Sequence, residues 1–143
     1  MAASASLVLS VANRAEALAP ARLAVLDWLD ALPGDTAPQR LRYRLELVLE
    51  EVLMNRVWHA WPEGGLHHTQ LQVSRLDDGL ALAFSDDGVA FDPFSAEPPP
   101  RPATLEQATP GGLGLVLLRR AARACRYRRE AAHNHCHIEL DWS

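Results

Sequence analysis

Lysine does not occur anywhere in this chain of 143 residues, so all 14 positive side chains are arginine, and 18 carboxylates leave a formal net charge of −4. That balance supplies no overall positive field to draw in DNA, RNA or an anionic membrane, and nucleic acid is not expected as a direct partner. Cysteine is almost as scarce. Cys125 and Cys136 stand alone, which excludes a disulfide scaffold and a close-spaced metal clip; reduced thiols are expected, a single bridge between them remaining open. Long apolar runs are lacking too, because charge interrupts every hydrophobic stretch short of the ~18 residues that a bilayer span requires. The opening Met1-Ala-Ala-Ser has no basic-then-apolar plan of a secretory signal, and the expectation is a soluble, cytoplasmic protein. What remains is 48% hydrophobic and 22% charged, enough to bury one core without staples, so residues 1–143 read as a single domain.

Residues Ala5 to Val11 alternate weakly and suit a strand; Asn13 follows, placed to cap an alanine-rich helix running to about Leu32. Pro33-Gly-Asp35 is turn chemistry, and a second helix begins after Thr36 with Pro38 in its first turn. Leu41, Leu45, Val48, Leu49, Val52 and Leu53 recur at spacings of three and four and bury one face of it, with Glu46, Glu50 and Glu51 around its other side or edge. Pro62-Glu-Gly-Gly65 stops that helix. Thr69 to Leu76 and Leu80 to Ser85 alternate around Asp77-Asp-Gly79 as a β-hairpin. Six prolines between Asp87 and Pro110 exclude regular structure from most of a segment of about 87–110, long enough to be a lid or binding loop. Gly111 to Gly114 open a third, apolar helix, and strands fit Arg126 to Glu130 and Cys136 to Trp142. Strand, helix, helix, hairpin, lid, helix, hairpin favours an α/β (α+β) two-layer sandwich: a mixed, mostly antiparallel sheet with three helices on one face.

Three segments carry chemistry. In Glu51-Val-Leu-Met-Asn55 the carboxylate and the amide project from the same side of a helix. An asparagine oxygen is a hard ligand suited to Mg²⁺, and a neighbouring glutamate can orient, or deprotonate, the hydroxyl that attacks a γ-phosphate. Taken alone, the pair also suits a solvated helix residue and a backbone cap. Asp86 closes a strand in Asp86-Asp-Gly-Val-Ala-Phe-Asp-Pro93, where it can accept from an exocyclic amine such as adenine N6, and Gly88 permits close backbone approach; the same residues make an ordinary surface turn. Gly111-Gly-Leu-Gly-Leu115 at a helix start exposes backbone N–H groups suited to phosphates, or serves close helix packing.

In this order, with a Pro-rich segment between the last two, the segments resemble the N, G1 and G2 boxes of the Bergerat-fold ATPases, the gyrase, histidine kinase and MutL group. More narrowly, Glu51-Val-Leu-Met-Asn-Arg-Val-Trp-His-Ala-Trp61, Gly88-Val-Ala-Phe-Asp-Pro93 and the tail Tyr127-Arg-Arg-Glu130 followed by Asn134 resemble the anti-sigma factor serine/threonine-protein kinases. The likeness spans nearly the whole chain. It implies ATP and Mg²⁺ as cofactors, Glu51 as the catalytic carboxylate and Asn55 as the Mg²⁺ ligand. Asp86 would read adenine with Gly88 and Phe91 beside it, and Gly111, Gly112, Leu113, Gly114 and Leu115 would hold the nucleotide. It also implies phosphorylation of a STAS-type antagonist that competes with a sigma factor for the kinase, and a homodimer. The alternative is a catalytically weak or inactive nucleotide-binding module, retaining the ATP pocket or only its shape, that regulates a sigma factor or antagonist by occupancy alone; a histidine-kinase catalytic module is not expected, since no phosphoacceptor helical pair precedes these segments.

Three departures from the family pattern bear on activity. Arg56 follows the asparagine where a small residue is usual, and is expected to crowd the pocket or reach a phosphate. Ala90 replaces a second glycine, and Arg101 is the lone positive residue of the lid. His133, His135, Cys136 and His137 are ligand-rich, but alternation along a strand sends Cys136 to the opposite face from its histidine neighbours, and no zinc site is expected. His59 is assigned a structural place in the helix. The arginines at 119, 120, 123, 126, 128 and 129 are expected to form a solvated face, with an acidic partner as the other reading.

Overall fold

A computed structural model describes residues 5–94 and 112–143. Strand β1 (Ser6–Ala12) leads through a short 3₁₀ turn into helix α1 (Leu18–Asp30), followed by helix α2 (Gln39–Asn55). Hairpin β2 (His68–Leu76) and β3 (Gly79–Asp86) comes next, then helix α3 (Gly112–Ala121) and hairpin β4 (Ala124–Glu130) and β5 (His133–Asp141). The strands form one sheet in the order β1-β2-β3-β5-β4. All its pairings are antiparallel, the limiting case of the mostly antiparallel sheet expected.

Alternation along the strands decides which face the helices cover. Leu71 and Val73 of β2, Leu80, Leu82 and Phe84 of β3, and Cys136, Ile138 and Leu140 of β5 form the buried row. Against it lie Ala21, Val25 and Leu29 of α1, the Leu41-to-Leu53 stripe of α2 and Leu118 of α3. The intervening strand residues, among them Val8, Gln70, Gln72, Ala83, Arg126 and Arg128, face outward and are exposed.

The two central rows end in polar residues. Asp86 continues Leu80, Leu82 and Phe84, Asn134 precedes Cys136, Ile138 and Leu140, and the two are directly paired across the β3–β5 ladder. Both are buried, Asp86 to 5% exposure and Asn134 to 1%. The sheet therefore places two buried polar side chains together at one end of an apolar core.

Three boundaries differ from expectation. Asn13 does not cap α1. Its amide instead donates to the Gly65 carbonyl at 3.0 Å and accepts from the His67 backbone N–H at 2.9 Å, tying the segment after β1 to the loop that enters β2. Helix α2 does not stop before Pro62 as a plain α-helix, because Arg56–Ala60 continue it as a π-helical turn. Strand β5 starts at His133, which brings Asn134 inside the ladder. The β4–β5 hairpin turns through Ala131 and Ala132, both at positive φ of 51° and 63°. Residues 95–110 of the expected lid, and Gly111, lie outside the described residues.

Candidate nucleotide site

Glu51 and Asn55 stand one helical turn apart near the end of α2. The Asn55 amide donates to the Glu51 backbone carbonyl at 2.9 Å, which leaves Oδ1 as the atom a cation would use. Asn55 is buried. Glu51 is half-buried, and its Oε2 is enclosed without a hydrogen-bond partner. A buried carboxylate oxygen left so costs roughly 1–3 kcal/mol, which an incoming hydroxyl or other donor would relieve. Burial, and then the charge of neighbouring Glu50, raise the Glu51 carboxyl above the ordinary carboxylate range, because both disfavour its ionised form. The pair fits the expected Mg²⁺ ligand and hydroxyl-orienting carboxylate on this ground: one side-chain oxygen available, one carboxylate oxygen orphaned.

The π-helical turn after Asn55 widens the helix end and carries its backbone towards the segment after β3. Such turns recur at functional sites. Here the Ala60 carbonyl accepts from the Val89 N–H at 2.8 Å. Trp61, just beyond, donates its indole N–H to Asp87 at 3.0 Å and stacks on the His67 ring at 4.8 Å, nearly parallel at 4°. Gly88 fits beneath Ala60. A Cβ on Gly88 would lie 2.7 Å from both Ala60 Cβ and Ala60 O, so glycine is required there by the protein's own packing.

Arg56 resolves the departure noted in the sequence. It extends the apolar stripe of α2, lying three, four and seven residues after Leu53, Val52 and Leu49, and is buried to 4% exposure. Its Nη1 donates to both Asp86 oxygens, at 3.3 Å to Oδ1 and 3.2 Å to Oδ2. Its guanidinium lies 5.6 Å from the centre of the Phe91 ring. Asp86 Oδ1 also accepts from the Gly88 N–H at 2.9 Å and from Asn134 Nδ2 at 3.0 Å. The residue expected to read adenine is thus the hub of an internal network.

Asn134 and Arg129 complete that network, and the reading of the sequence gave neither a role in the site. Asn134 Nδ2 also donates to the Val89 carbonyl at 2.9 Å. Its Oδ1 accepts from the Tyr127 hydroxyl at 2.6 Å, Arg129 Nη1 at 3.1 Å and the Phe91 N–H at 3.4 Å. Arg129 also donates to the Gly88 carbonyl at 2.8 Å, which separates it from the solvated arginines assigned to this region. Of the other five, Arg123 pairs at the surface with Asp78, Glu139 and Asp141, Arg126 with Glu139 and Arg128 with Glu130.

The structure brings Glu51 and Asn55 together on α2, and joins Asp86, Gly88 and Phe91 around Arg56 and Asn134. Gly112, Leu113, Gly114 and Leu115 form the start of α3. A hollow of about 880 Å³ lies on the open face of the sheet between Gln72, Ala83, Arg126, His135 and His137, and none of Glu51, Asn55, Asp86 or Gly88 lines it. Chemistry rather than hollow size locates the candidate site. Cys136 packs in the core, where burial pushes its thiol up to about 12. No helix among the described residues is long and apolar enough to cross a membrane.

The family model described as histidine kinase-like ATPase domain matches residues 11–139. The serine/threonine-protein kinase BtrW of Bordetella bronchiseptica is 38% identical over 111 residues, which cover 77% of this chain and 78% of BtrW. A solved structure of the RsbU and RsbW domains of Rv1364c from Mycobacterium tuberculosis superposes with a TM-score of 0.64 at 13% identity. That match covers 96% of this chain and 32% of the other, and at such identity it speaks for the fold.

Proposed function

This chain belongs to the histidine kinase-like ATPase domain family, and on that premise we propose that it binds Mg-ATP and phosphorylates a serine or threonine of a STAS-type anti-sigma antagonist, in a partner-switching circuit with a sigma factor. The observation that carries the reading is the orphaned Glu51 Oε2 one turn before Asn55. Glu51 accepts the hydroxyl proton of the incoming side chain and holds its oxygen for attack, a task for which a carboxyl raised by burial is suited. Asn55 supplies a neutral oxygen to the metal and leaves the remaining positions to water and phosphate. Magnesium, when bound, would neutralise charge that develops on the phosphate oxygens. The N-terminal turn of α3 offers backbone N–H donors to the phosphates. BtrW bears the name of a serine/threonine-protein kinase, and its similarity supports the transfer reading. A homodimer in the cytoplasm is part of the same proposal.

The second reading, a nucleotide-binding module that is catalytically weak or inactive and regulates its partner by binding alone, is favoured by the Arg56–Asp86 ion pair, which occupies the base-reading carboxylate. Calorimetric titration with a non-hydrolysable ATP analogue tests the common premise. Magnesium-dependent binding with Kd of roughly 10–100 μM, about −5.5 to −7 kcal/mol, is expected for the wild type, and Asn55→Ala should lose the magnesium dependence. No heat of binding in the wild type would overturn both nucleotide readings; equal magnesium dependence in Asn55→Ala would remove Asn55 from the metal site.

A further inference from the structure

We propose that Arg56 is an internal occupant of the base-recognition position, holding the Asp86 oxygens that an adenine amine would use, so that ATP binds only by parting a buried ion pair. The inference rests on the nucleotide-binding reading above and concerns how that site is regulated. A carboxylate offers about four lone-pair positions to donors. Asp86 already receives Gly88 N–H, Asn134 Nδ2 and Arg56 Nη1 on Oδ1, and Arg56 Nη1 again on Oδ2. The Gly88 and Asn134 donors belong to the scaffold, being fixed by a close-packed glycine and by the β3–β5 register. Arg56 is the donor that a ligand can replace.

The guanidinium also resembles what it would exclude. It is planar, it presents N–H groups at its edge, and it lies by the Phe91 ring, as a base carrying an exocyclic amine would. Both members of the pair are nearly sealed from solvent, with side-chain exposures of 5% for Arg56 and 3% for Asp86. Water therefore does not lend its hydrogen bonds to the exchange, and an incoming amine must match the arginine before the arginine leaves. A sealed pair of this kind lowers apparent affinity by the fraction of molecules in which it is open.

The test is titration of the magnesium complex of a non-hydrolysable ATP analogue into the wild type and Arg56→Ala, each first shown to be folded by its ligand-free thermal transition. Arg56→Ala should bind at least tenfold more tightly, about 1.4 kcal/mol. Methylguanidinium at millimolar concentration should weaken the variant towards the wild-type value and leave the wild type unchanged. Should the alanine variant unfold, Arg56→Met, which keeps apolar bulk near Phe91 and has no N–H donors, carries the same expectation. A wild type that binds while the folded variant binds no more tightly overturns the proposal and spares the nucleotide reading. If neither the wild type nor the variant binds, the nucleotide reading falls and this inference falls with it.

Discussion

Asn134→Ala is the sharpest test of how the site is held. The side chain has 1% exposure and four hydrogen bonds of good length: Nδ2 to Asp86 at 3.0 Å and to Val89 O at 2.9 Å, and Oδ1 from Tyr127 at 2.6 Å and from Arg129 at 3.1 Å. Lost individually, such bonds are worth about 0.5–1.5 kcal/mol, and up to about 3 where a charge takes part. The sum is moderated by what the partners can regain. Arg129 and Val89 are exposed and Tyr127 half-buried, so water recovers part of their loss, whereas buried Asp86 keeps Gly88 and Arg56. A destabilisation centred on about 3 kcal/mol is expected, equivalent to a fall in melting temperature of roughly 6–12 °C for a domain near this size. Urea unfolding followed by circular dichroism, without nucleotide so that no ligand linkage enters, measures it directly. Asn134→Asp keeps the acceptor side but turns a second carboxylate on Asp86, and should cost at least as much as the alanine. A loss below about 1 kcal/mol for the alanine, or an aspartate tolerated better than alanine, would refute the view that this residue clamps the site.

Gly88→Ala should destabilise by about 1–3 kcal/mol through overpacking against Ala60, with nucleotide affinity falling alongside; an unchanged melting temperature would show that the space is adaptable. Glu51 gives a pH test. Its carboxyl is raised and a base works ionised, so phosphoryl transfer should fall with decreasing pH through a value above the ordinary carboxylate range, and Glu51→Gln should abolish transfer while nucleotide still binds. The stability sign runs the other way. Ionisation is penalised in the folded state, so wild-type stability declines as pH rises from the unfolded carboxylate value to the raised one, and Glu51→Gln should lose that decline. An acid limb at an ordinary carboxylate position, or one retained in the glutamine variant, would remove Glu51 from the base role.

Most of the architecture was legible because periodicity carries it. The stripe from Leu41 to Leu53 and the alternation of Leu80, Leu82 and Phe84 each report a buried face directly. Asn13 was misread because an asparagine before a helical pattern suits a cap, and nothing local reveals that Gly65 and His67, more than fifty residues on, compete for its amide. Arg56 and Asn134 carried a signal that went unused. Arg56 falls on the apolar stripe of α2, and Asn134 lies in phase with Cys136, Ile138 and Leu140, so each is a polar residue at a buried position and demands a partner. That those partners converge on Asp86 depends on the pairing of β3 with β5, which no local pattern specifies.

The hairpin turn of Ala131 and Ala132 leaves the alignment of β5 to the rest of the sheet. Two-residue turns with positive φ at both positions usually employ Asn-Gly, and alanine there works against about 1–2 kcal/mol of steric preference per residue. The turn therefore does little to choose the alignment of β5, which the interior row has to enforce. A slip by one residue would bring His133 or His135 to the place of Asn134 and turn Cys136, Ile138 and Leu140 outward. Substitutions that loosen Cys136, Ile138 or Leu140 would thus be felt at Asn134 as an error of counting along a strand, and the buried row of β5 sets the alignment of the candidate site as well as filling the core.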